Sequence, residues 1–310
     1  MFSVIFPGQG SQSVGMGREI YDNFNYVKEL FKQADDTLGY SLSKIVLEGP
    51  KEELDLTENT QPAIFLLSYA IVEMIKKEGN FNLNGPKFFA GHSLGEYSAL
   101  AASNSLDFKS AIKLLNERGK AMQNAVPKGT GGMLAILGLD IEEINSLLVE
   151  NQNDYKCYIA NDNSKGQIVL SGLNKDIDKL SISLKEKKIK NIKLPVSAPF
   201  HCKLMNKATH IMTDKINNTN FTRPNNVIIS NVTGTETQEI EEIKDLLIKQ
   251  IESPVRWRES VIYMIKNGVT NFIEIGPGKV LSGLVKRIDK TIKVNNINKL
   301  EDLKDIELND

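Results

Sequence analysis

Apolar positions along the first 126 residues alternate between short continuous runs and longer stretches with helical spacing. Residues 4–6 form a short apolar run that Pro7 and Gly8 end, and residues 87–90 form a second run before a Gly-rich turn. Between these runs, apolar residues three to four positions apart predict a helix over residues 21–38 and another from Thr60 to Gly79. Strands that alternate with helices in this way predict an α/β fold with a mainly parallel sheet.

The middle third of the chain has a different pattern, which begins at Pro127 and the glycines of residues 129–132. It predicts, in chain order, a strand at 133–137, a helix at 141–150, strands at 157–161 and 167–172, a helix at 174–187 and a strand at 190–195. The order βαββαβ is that of the split βαβ, or ferredoxin-like, motif. We therefore expect a small ferredoxin-like domain, residues 127–198, inserted into a large domain of residues 1–126 and 199–310.

From His201 onward the pattern returns to that of the large domain. Short apolar runs predict strands at residues 227–229 and 272–275, and helical spacing recurs near residues 240–251, 257–266 and 280–287. A helix after His201 is predicted from four apolar positions, Leu204, Ala208, Ile211 and Ile216. The segment after Lys290 is rich in Lys, Asn and Asp, and we expect it to be a solvated end.

Composition and charge exclude several classes of protein. The 310 residues carry 38 Lys and Arg against 39 Asp and Glu, a net charge of −1, so the basic excess of a general nucleic-acid binder is absent. The longest apolar stretch, residues 63–72, is shorter than the roughly 18 residues that cross a bilayer. No cationic segment precedes the apolar N-terminus, and Cys157 and Cys202 form no CxxC pair. We expect a cytoplasmic globular protein without a disulfide framework or a metal site.

A candidate nucleophile lies where the strand at residues 87–90 turns into an Ala-rich helix. The pentapeptide Gly91-His92-Ser93-Leu94-Gly95 fits the G-x-S-x-G pattern, whose glycines permit a sharp turn between a closely packed strand and helix. Such a turn lifts the Ser93 hydroxyl to the carboxyl end of the sheet, and the backbone N–H of Leu94 then points to where an oxyanion forms. We predict that Ser93 is a nucleophile; the alternative is an ordinary turn serine.

The chain offers three histidines as the base for this serine. His92 is covalently adjacent to Ser93 and is poorly placed to take its proton, and His210 has the polar flanks of a surface residue. His201 follows Pro199, which favours extended backbone, at the junction where the inserted domain ends. By elimination His201 is the predicted base, with a structural histidine as the alternative. Cys202 is a rival nucleophile, but both cysteines fit better as small buried hydrophobes.

A second Gly-rich turn, Gly8-Gln9-Gly10-Ser11-Gln12, follows the first strand. It can bring a backbone N–H to the reacting centre as a second oxyanion donor. A dinucleotide site is excluded because G-x-G-x-x-G requires glycine at position 13, where Ser13 stands. A phosphate-binding P-loop is disfavoured because its Lys-Ser/Thr pair is absent.

Taken together, five motifs in order along the chain resemble the malonyl-CoA:acyl-carrier-protein transacylase family. The resemblance covers the chain from Phe2 to Arg287, and its ordered blocks are far more specific than G-x-S-x-G alone. It implies an α/β-hydrolase-like large domain with a ferredoxin-like insertion, which agrees with the division predicted above. The motifs are Phe6-Pro7-Gly8-Gln9-Gly10-Ser11-Gln12, Gly91-His92-Ser93-Leu94-Gly95-Glu96-Tyr97, Arg118-Gly119-Lys120-Ala121-Met122-Gln123, Ala198-Pro199-Phe200-His201 and Gly276-Pro277-Gly278-Lys279-Val280-Leu281.

The resemblance implies a role for each matching residue. Ser93 matches the acylated nucleophile and His201 its base, and the backbone amides of Leu94 and Gln9 match the oxyanion hole. Arg118 matches the arginine that binds the malonyl carboxylate, which a planar guanidinium does through two parallel hydrogen bonds.

Gln250 matches the position whose backbone carbonyl orients the histidine. We expect its side chain to matter little, because that role uses the backbone. One departure from the family pattern is Ser253 where Asn is common, and we expect only a local adjustment there. No Asp or Glu falls in a recognisable third-member motif, so we expect a Ser–His dyad oriented by a carbonyl rather than a full triad.

The implied activity is transfer of a malonyl group from malonyl-CoA to the phosphopantetheine thiol of acyl carrier protein, through a malonyl-serine intermediate. The resemblance implies no metal or redox cofactor, an acidic carrier partner and a fatty-acid pathway; we take a monomer as the default. The alternatives are a serine hydrolase or thioesterase, a discrete acyltransferase that serves polyketide synthesis, and an inactive scaffold that binds the carrier. Phe200 beside His201 suits a compact malonyl group.

An acidic carrier directs attention to basic surface. Five lysines cluster around the last helix–strand junction of the predicted insertion, and we expect them to help dock the carrier; the alternative is a solvated helix end. Lys286 and Arg287 are secondary candidates. The five are Lys185, Lys187, Lys188, Lys190 and Lys193.

Overall fold

The computed structural model describes residues 1–79, 82–196 and 198–304. Ser197 of the predicted insertion and residues 305–310 of the predicted solvated end lie outside the described residues. The strands are β1 (Phe2–Phe6), β2 (Phe88–Gly91), β3 (Gly131–Leu137), β4 (Cys157–Ser164), β5 (Gln167–Leu173), β6 (Lys190–Lys193), β7 (Val227–Ile229), β8 (Glu236–Thr237), β9 (Asn271–Ile275) and β10 (Lys293–Ile297).

The helices fall between these strands, as an α/β fold requires. The α-helices are α1 (Arg18–Asn23), α2 (Asn25–Leu38), α3 (Leu42–Glu48), α4 (Lys51–Leu54), α5 (Thr57–Glu78), α6 (Gly95–Ala102), α7 (Phe108–Gln123), α8 (Ile141–Glu150), α9 (Asn174–Glu186), α10 (Asn206–Asn217), α11 (Ile240–Gln250), α12 (Trp257–Lys266) and α13 (Val280–Ile288). Short 3₁₀ turns lie at Lys203–Met205 and Leu300–Lys304.

The larger sheet of the described chain has six strands in the order β10-β9-β1-β2-β7-β8, and every pairing except β7 with β8 is parallel. Successive residues of its central strands enter opposite cores, because side chains alternate across a strand. Val4 and Phe6 of β1 join the core that contains α5, α6 and α7, whereas Ile5 joins the core that contains α12 and α13. The mainly parallel α/β architecture predicted from the sequence is confirmed.

A second sheet is formed by the middle third of the chain. In the described residues its four strands have the order β4-β5-β3-β6 and all pair antiparallel, with α8 and α9 between them in the sequence. Residues from both helices and the strands share one apolar core. Strand β4 contacts the segment around α12. The Asp162 N–H donates to the Val255 carbonyl at 3.0 Å, and the Asp162 carboxylate forms an ion pair with Arg258.

The predicted solvated end after Lys290 is wrong over residues 293–297. This segment is β10, which pairs parallel with β9 at the edge of the large sheet and buries Ile297. Lys and Asn are compatible with an edge strand because its side chains are partly solvated and the pairing uses backbone atoms. A polar composition therefore concealed a strand.

Three helix expectations also need correction. The predicted helix over residues 21–38 is two helices that meet at Phe24, whose backbone is extended. The helix predicted from Thr60 begins earlier, at Thr57, as α5, and the Thr60 hydroxyl donates to the Leu54 carbonyl at 2.6 Å. Ile211, predicted on the apolar face after His201, is 48% exposed. Among the described residues no helix is both long and apolar enough to span a membrane.

Candidate active site

Ser93 lies at a sharp turn between β2 and α6, at the carboxyl end of the parallel sheet. Its backbone is left-handed, with φ of 53°, a conformation that non-glycine residues rarely adopt. The flanking glycines are required by close packing: a Cβ at Gly91 would overlap the backbone of Gly95, and a Cβ at Gly95 would overlap the Phe6 carbonyl of β1. The strand, turn and helix therefore present the half-buried Ser93 side chain from a strained backbone, as in a nucleophile elbow.

His201 lies beside this hydroxyl. Its Nε2 is 2.9 Å from Ser93 Oγ, and its Nδ1 is 2.9 Å from the backbone carbonyl of Gln250. Because that carbonyl only accepts, it fixes the proton on Nδ1 and leaves Nε2 as a proton acceptor for the serine. His201 is 4% exposed, and desolvation, with a smaller effect of the Arg118 charge, lowers its pKa to about 3. The imidazole is therefore neutral at physiological pH, as a general base must be.

Leu94 and Gln9, whose backbone amides are the predicted oxyanion donors, line the same cavity. Leu94 precedes α6 and Gln9 lies in the loop after β1, and both line the cavity beside Ser93. Within the described ranges neither N–H has a backbone acceptor. The loop passes close over the elbow because Gly8 has no Cβ, which would overlap the His92 carbonyl. An oxyanion hole needs donors beside the attacking hydroxyl, and both residues border the cavity that contains the Ser93 hydroxyl.

Arg118 reaches the site from α7 and is fully buried. Its Nη1 donates to Gln61 Oε1 at 2.7 Å, and its Nη2 donates to Gln250 Oε1 at 2.8 Å and to Ser93 Oγ at 3.1 Å. Burial lowers its pKa from the ordinary arginine value. A guanidinium so close to the nucleophile is able to bind an anionic group attached to an acyl chain.

Three polar groups that hold the site together were not predicted. Asn231 Oδ1 accepts from the Ser93 N–H at 2.7 Å, and its Nδ2 donates to the Gly91 carbonyl at 2.7 Å. Glu96, fully buried in α6, accepts from the Asn231 N–H at 3.1 Å, and burial raises its pKa to about 7. An acid inside an Ala-rich helix next to the elbow was the available sequence signal for Glu96.

The third such group is the side chain of Gln250, for which we expected little importance. It is fully buried, its Oε1 accepts from Arg118, and its Nε2 donates to Glu96 Oε2 at 2.7 Å. Longer contacts join Nε2 to the Ser93 carbonyl at 3.2 Å and to Asn231 Oδ1 at 3.3 Å. The expectation did not foresee these contacts, which arise because the helix end that supplies a carbonyl to His201 also buries the side chain among polar groups.

The remaining histidines and cysteines lie away from the Ser93 hydroxyl. His92 Nε2 contacts Asn163 Oδ1 at 2.9 Å, and His210 is exposed on α10, as predicted. Both cysteines are free and buried, and desolvation raises the thiol pKa of Cys157 to about 12 and of Cys202 to about 11. Neither cysteine is therefore a thiolate at neutral pH. Among the described residues no group of His, Cys, Asp and Glu is arranged to hold a metal ion.

The cavity that contains these groups has a volume of about 140 Å³. That is smaller than the roughly 300–1,000 Å³ of sites for drug-sized ligands, so it suits a short acyl group. Strands of the smaller sheet contribute Met133 and Val169 to its wall, and Phe200 contributes from the segment before His201. Leu194 and Val196, also in its wall, follow directly on β6.

The five lysines predicted to dock a carrier are all exposed. Lys193 forms an ion pair with Asp178, and the chain continues from it into the cavity wall. Lys286 and Arg287 are exposed on α13, where Lys286 Nζ donates to the Ile292 carbonyl at 2.6 Å and Arg287 contacts Gln167.

Comparisons with known proteins give one family. The model of the acyl transferase domain matches residues 3–303. A malonyl CoA-acyl carrier protein transacylase of Bacillus subtilis (strain 168) is 45% identical over 293 residues, which are 93% of this chain and 90% of that protein. That of Haemophilus influenzae is 43% identical over 298 residues, 96% of this chain and 95% of that protein.

Solved structures give the same result. The acyl-carrier-protein-S-malonyltransferase of Bartonella henselae superposes with a TM-score of 0.95 at 40% identity, over 98% of this chain and 97% of that one. A malonyl-transacylase in complex with its type II PKS acyl-carrier protein gives 0.92 at 40% identity, with the same coverage. This chain therefore belongs to the malonyl CoA-acyl carrier protein transacylase family of acyl transferases.

Proposed function

We propose that this protein is an [acyl-carrier-protein] S-malonyltransferase (EC 2.3.1.39), which moves a malonyl group from malonyl-CoA to acyl carrier protein for fatty-acid synthesis. The observation that carries the proposal is the convergence of base and cation on one hydroxyl. Ser93 Oγ lies 2.9 Å from His201 Nε2 and 3.1 Å from Arg118 Nη2. The names of the relatives, which are malonyl transacylases over nearly their full length, support the same activity.

In the first step, Ser93 Oγ attacks the thioester carbonyl of malonyl-CoA while His201 Nε2 takes the hydroxyl proton. The Oγ–C bond forms, and the carbonyl oxygen becomes an oxyanion that the amides of Leu94 and Gln9 stabilise. Collapse of this intermediate breaks the C–S bond, and His201 returns its proton to the CoA sulfur. Malonyl-serine and CoA thiol are the products.

The second step is the same chemistry in reverse, with a different thiol. The phosphopantetheine thiol of the carrier gives its proton to His201 and attacks the malonyl-serine carbonyl. The C–O bond then breaks and Ser93 recovers the proton. Because the first step converts a thioester into an oxygen ester and the second reverses that exchange at the same site, neither needs an oxidant or a metal, and we propose no cofactor.

Arg118 is the proposed ligand of the malonyl carboxylate. Its guanidinium is buried and lies one hydrogen bond from the acyl-accepting oxygen. The three-carbon malonyl group places its carboxylate close to its thioester carbon, which matches this short separation. A neutral acyl group would leave the guanidinium without an anionic partner.

We assign an α/β-hydrolase-like large domain to residues 1–126 and 199–310 and a ferredoxin-like inserted domain to residues 127–198. A nucleophile placed after a strand of a parallel sheet supports the first assignment. The antiparallel strand order β4-β5-β3-β6, with helices in the order βαββαβ, supports the second.

The carrier is the proposed transient partner, docked at the lysine cluster of residues 185–193. The exposure of these lysines and their continuity with the cavity wall support this location. A monomer in the cytoplasm completes the proposal.

A discrete acyltransferase for polyketide synthesis is the second candidate. It is favoured by the similarity to a malonyl-transacylase solved with its type II PKS acyl-carrier protein. Transfer to purified fatty-acid and polyketide carrier proteins, compared at equal concentration, distinguishes the two pathways.

The test is intact-protein mass spectrometry after brief incubation with malonyl-CoA or acetyl-CoA. We expect one malonyl adduct on Ser93, discharged by the carrier thiol and absent in Ser93→Ala. Steady release of CoA without an adduct would indicate a hydrolase instead. Neither adduct nor turnover would leave only an inactive scaffold that binds the carrier.

A further inference from the structure

The buried Arg118 guanidinium is held without an acidic partner. Its hydrogen bonds go to two amide oxygens, of Gln61 and Gln250, and to the Ser93 hydroxyl. In the described parts of the chain no carboxylate forms a salt bridge with it. A buried arginine usually pairs directly with a carboxylate, because an uncompensated charge is costly to bury.

A buried acid is nevertheless close, and one amide separates it from the cation. Gln250 Nε2 donates to Glu96 Oε2 at 2.7 Å, while Gln250 Oε1 accepts from Arg118 Nη2 at 2.8 Å. Chemistry fixes the orientation of this amide: a guanidinium only donates and a carboxylate accepts, so a flipped amide would lose both bonds. Asn231 Oδ1 and the Ser93 carbonyl, at 3.3 and 3.2 Å from Nε2, are acceptors and favour the same orientation.

The contact between Arg118 and the Gln250 amide explains how the guanidinium is held in place and is still able to bind a carboxylate. A carboxylate at the place of Gln250 Oε1 would form a direct, charge-assisted pair with Arg118. Such a pair would compete with the carboxylate of an incoming acyl group. An amide oxygen holds the guanidinium more weakly and keeps the buried acid Glu96 one amide away from direct contact with it.

We propose that the Gln250 side chain is a positioning residue that sets donor selectivity: its amide connects Glu96 to Arg118 and holds the guanidinium on neutral oxygens, so that an acyl carboxylate becomes its first anionic partner. This inference rests on the proposed function, since it concerns the selectivity of the same site. It is separate from the backbone carbonyl of Gln250, which contacts His201 and is kept in every variant at this position.

The experiment compares acylation of Ser93 by malonyl-CoA and acetyl-CoA in Gln250→Glu, Gln250→Met and the wild-type protein. Gln250→Glu places a carboxylate beside Arg118 and next to Glu96. Burial raises the pKa of Glu96 to about 7, so Glu96 is able to carry a proton and share it with the new carboxylate. Gln250→Met keeps the side-chain length and removes both hydrogen bonds. Lys249→Gln is the matched control, because it also lowers the net charge by one, at an exposed neighbouring position.

In Gln250→Glu we expect kcat/KM for malonyl-CoA to fall about ten- to a hundredfold, the range of one charge-assisted hydrogen bond, while that for acetyl-CoA changes less than about threefold. Gln250→Met should lower the malonyl to acetyl ratio by a smaller factor, and Lys249→Gln should leave it unchanged. An equal fall for both donors, or an unchanged ratio, overturns the inference. If Gln250→Glu does not fold, the ratio in Gln250→Met decides. A wild-type protein that takes no malonyl group refutes the proposed function itself, before any variant is compared.

Discussion

Asn231 is predicted to stabilise the nucleophile turn, and Asn231→Ala is the perturbation that tests it. The side chain is fully buried and satisfies two backbone groups of the turn, the Ser93 N–H and the Gly91 carbonyl, each at 2.7 Å. Leaving a buried polar group without a partner costs about 1–3 kcal/mol, so the variant should lose about 2–6 kcal/mol of unfolding free energy.

The same substitution should slow acylation. The left-handed backbone of Ser93, with φ of 53°, is a strained conformation worth about 1–3 kcal/mol, and Asn231 is one of the groups that maintain it. If the turn relaxes by that amount, acylation from malonyl-CoA should fall about 5- to 150-fold. Urea unfolding followed by circular dichroism measures the stability, and intact-protein mass spectrometry at early times measures the acylation rate.

Asn226→Ala is the matched control for these measurements. Asn226 is also buried, and its Nδ2 donates to the Leu83 and Pro86 carbonyls at 3.2 and 3.4 Å, away from Ser93. This variant should lose stability and keep its acylation rate. If Asn231→Ala behaves in the same way, with normal acylation at reduced stability, the reasoning about backbone strain is refuted.

Three other predictions follow from the geometry of the site. Arg118→Ala should lower kcat/KM for malonyl-CoA about ten- to a hundredfold and spare acetyl-CoA, since it removes a charge-assisted contact to the carboxylate; an unchanged donor preference in acylation assays contradicts this. The His201 contribution to the unfolding free energy should fall as the pH falls from 6.5 toward 3, because His201 takes up a proton in the unfolded chain in that window and the buried imidazole does not. Buried Glu96, whose pKa is raised to about 7, acts in the opposite direction between its ordinary and its raised pKa, so the measurement is the difference in unfolding free energy between the wild type and His201→Gln in urea titrations, which should decrease as the pH falls. Charge reversal at Lys187 and Lys188 should slow transfer to the carrier and leave malonyl-CoA loading unchanged in mass spectrometry; equal effects on both steps would place the docking surface elsewhere.

The residues proposed as nucleophile and base were predictable because local chemistry restricts both roles. A G-x-S-x-G turn between a strand and a helix has few uses, and only one of three histidines, His201, stood where a base could reach Ser93. The element order of the middle third was predictable for a similar reason: each strand and helix there has its own clear period. Arg118 depended on the resemblance, because an arginine with helical spacing has no local sign of burial.

The polar groups around the site were not predictable, because each depends on residues that are distant in sequence. Asn231 contacts a turn 138 positions earlier, and Gln250 contacts Glu96 across 154 positions. The orientation of the Gln250 amide is decided by which neighbours donate and which accept, a property that exists only in the folded chain. Strand β10 was missed for a different reason, since an edge strand is paired through its backbone and its side chains need not be apolar.

The site contains two residues with strained backbones and one buried positive charge, and contacts from the surrounding fold hold all three in place. Ser93 and His201 both have left-handed backbones, with φ of 53° and 58°, and come from the two segments that border the cavity. Conformations of this kind persist only where surrounding contacts hold them, here the Asn231 side chain for one and the Gln250 carbonyl on the imidazole for the other. Within the described chain around this cavity, the single buried cation is Arg118, and its hydrogen bonds go to neutral oxygens. In the proposed function, an acyl carboxylate is its first direct anionic partner. The free energy that binding of this carboxylate releases is therefore available to select the donor at the atom where the acyl group is transferred.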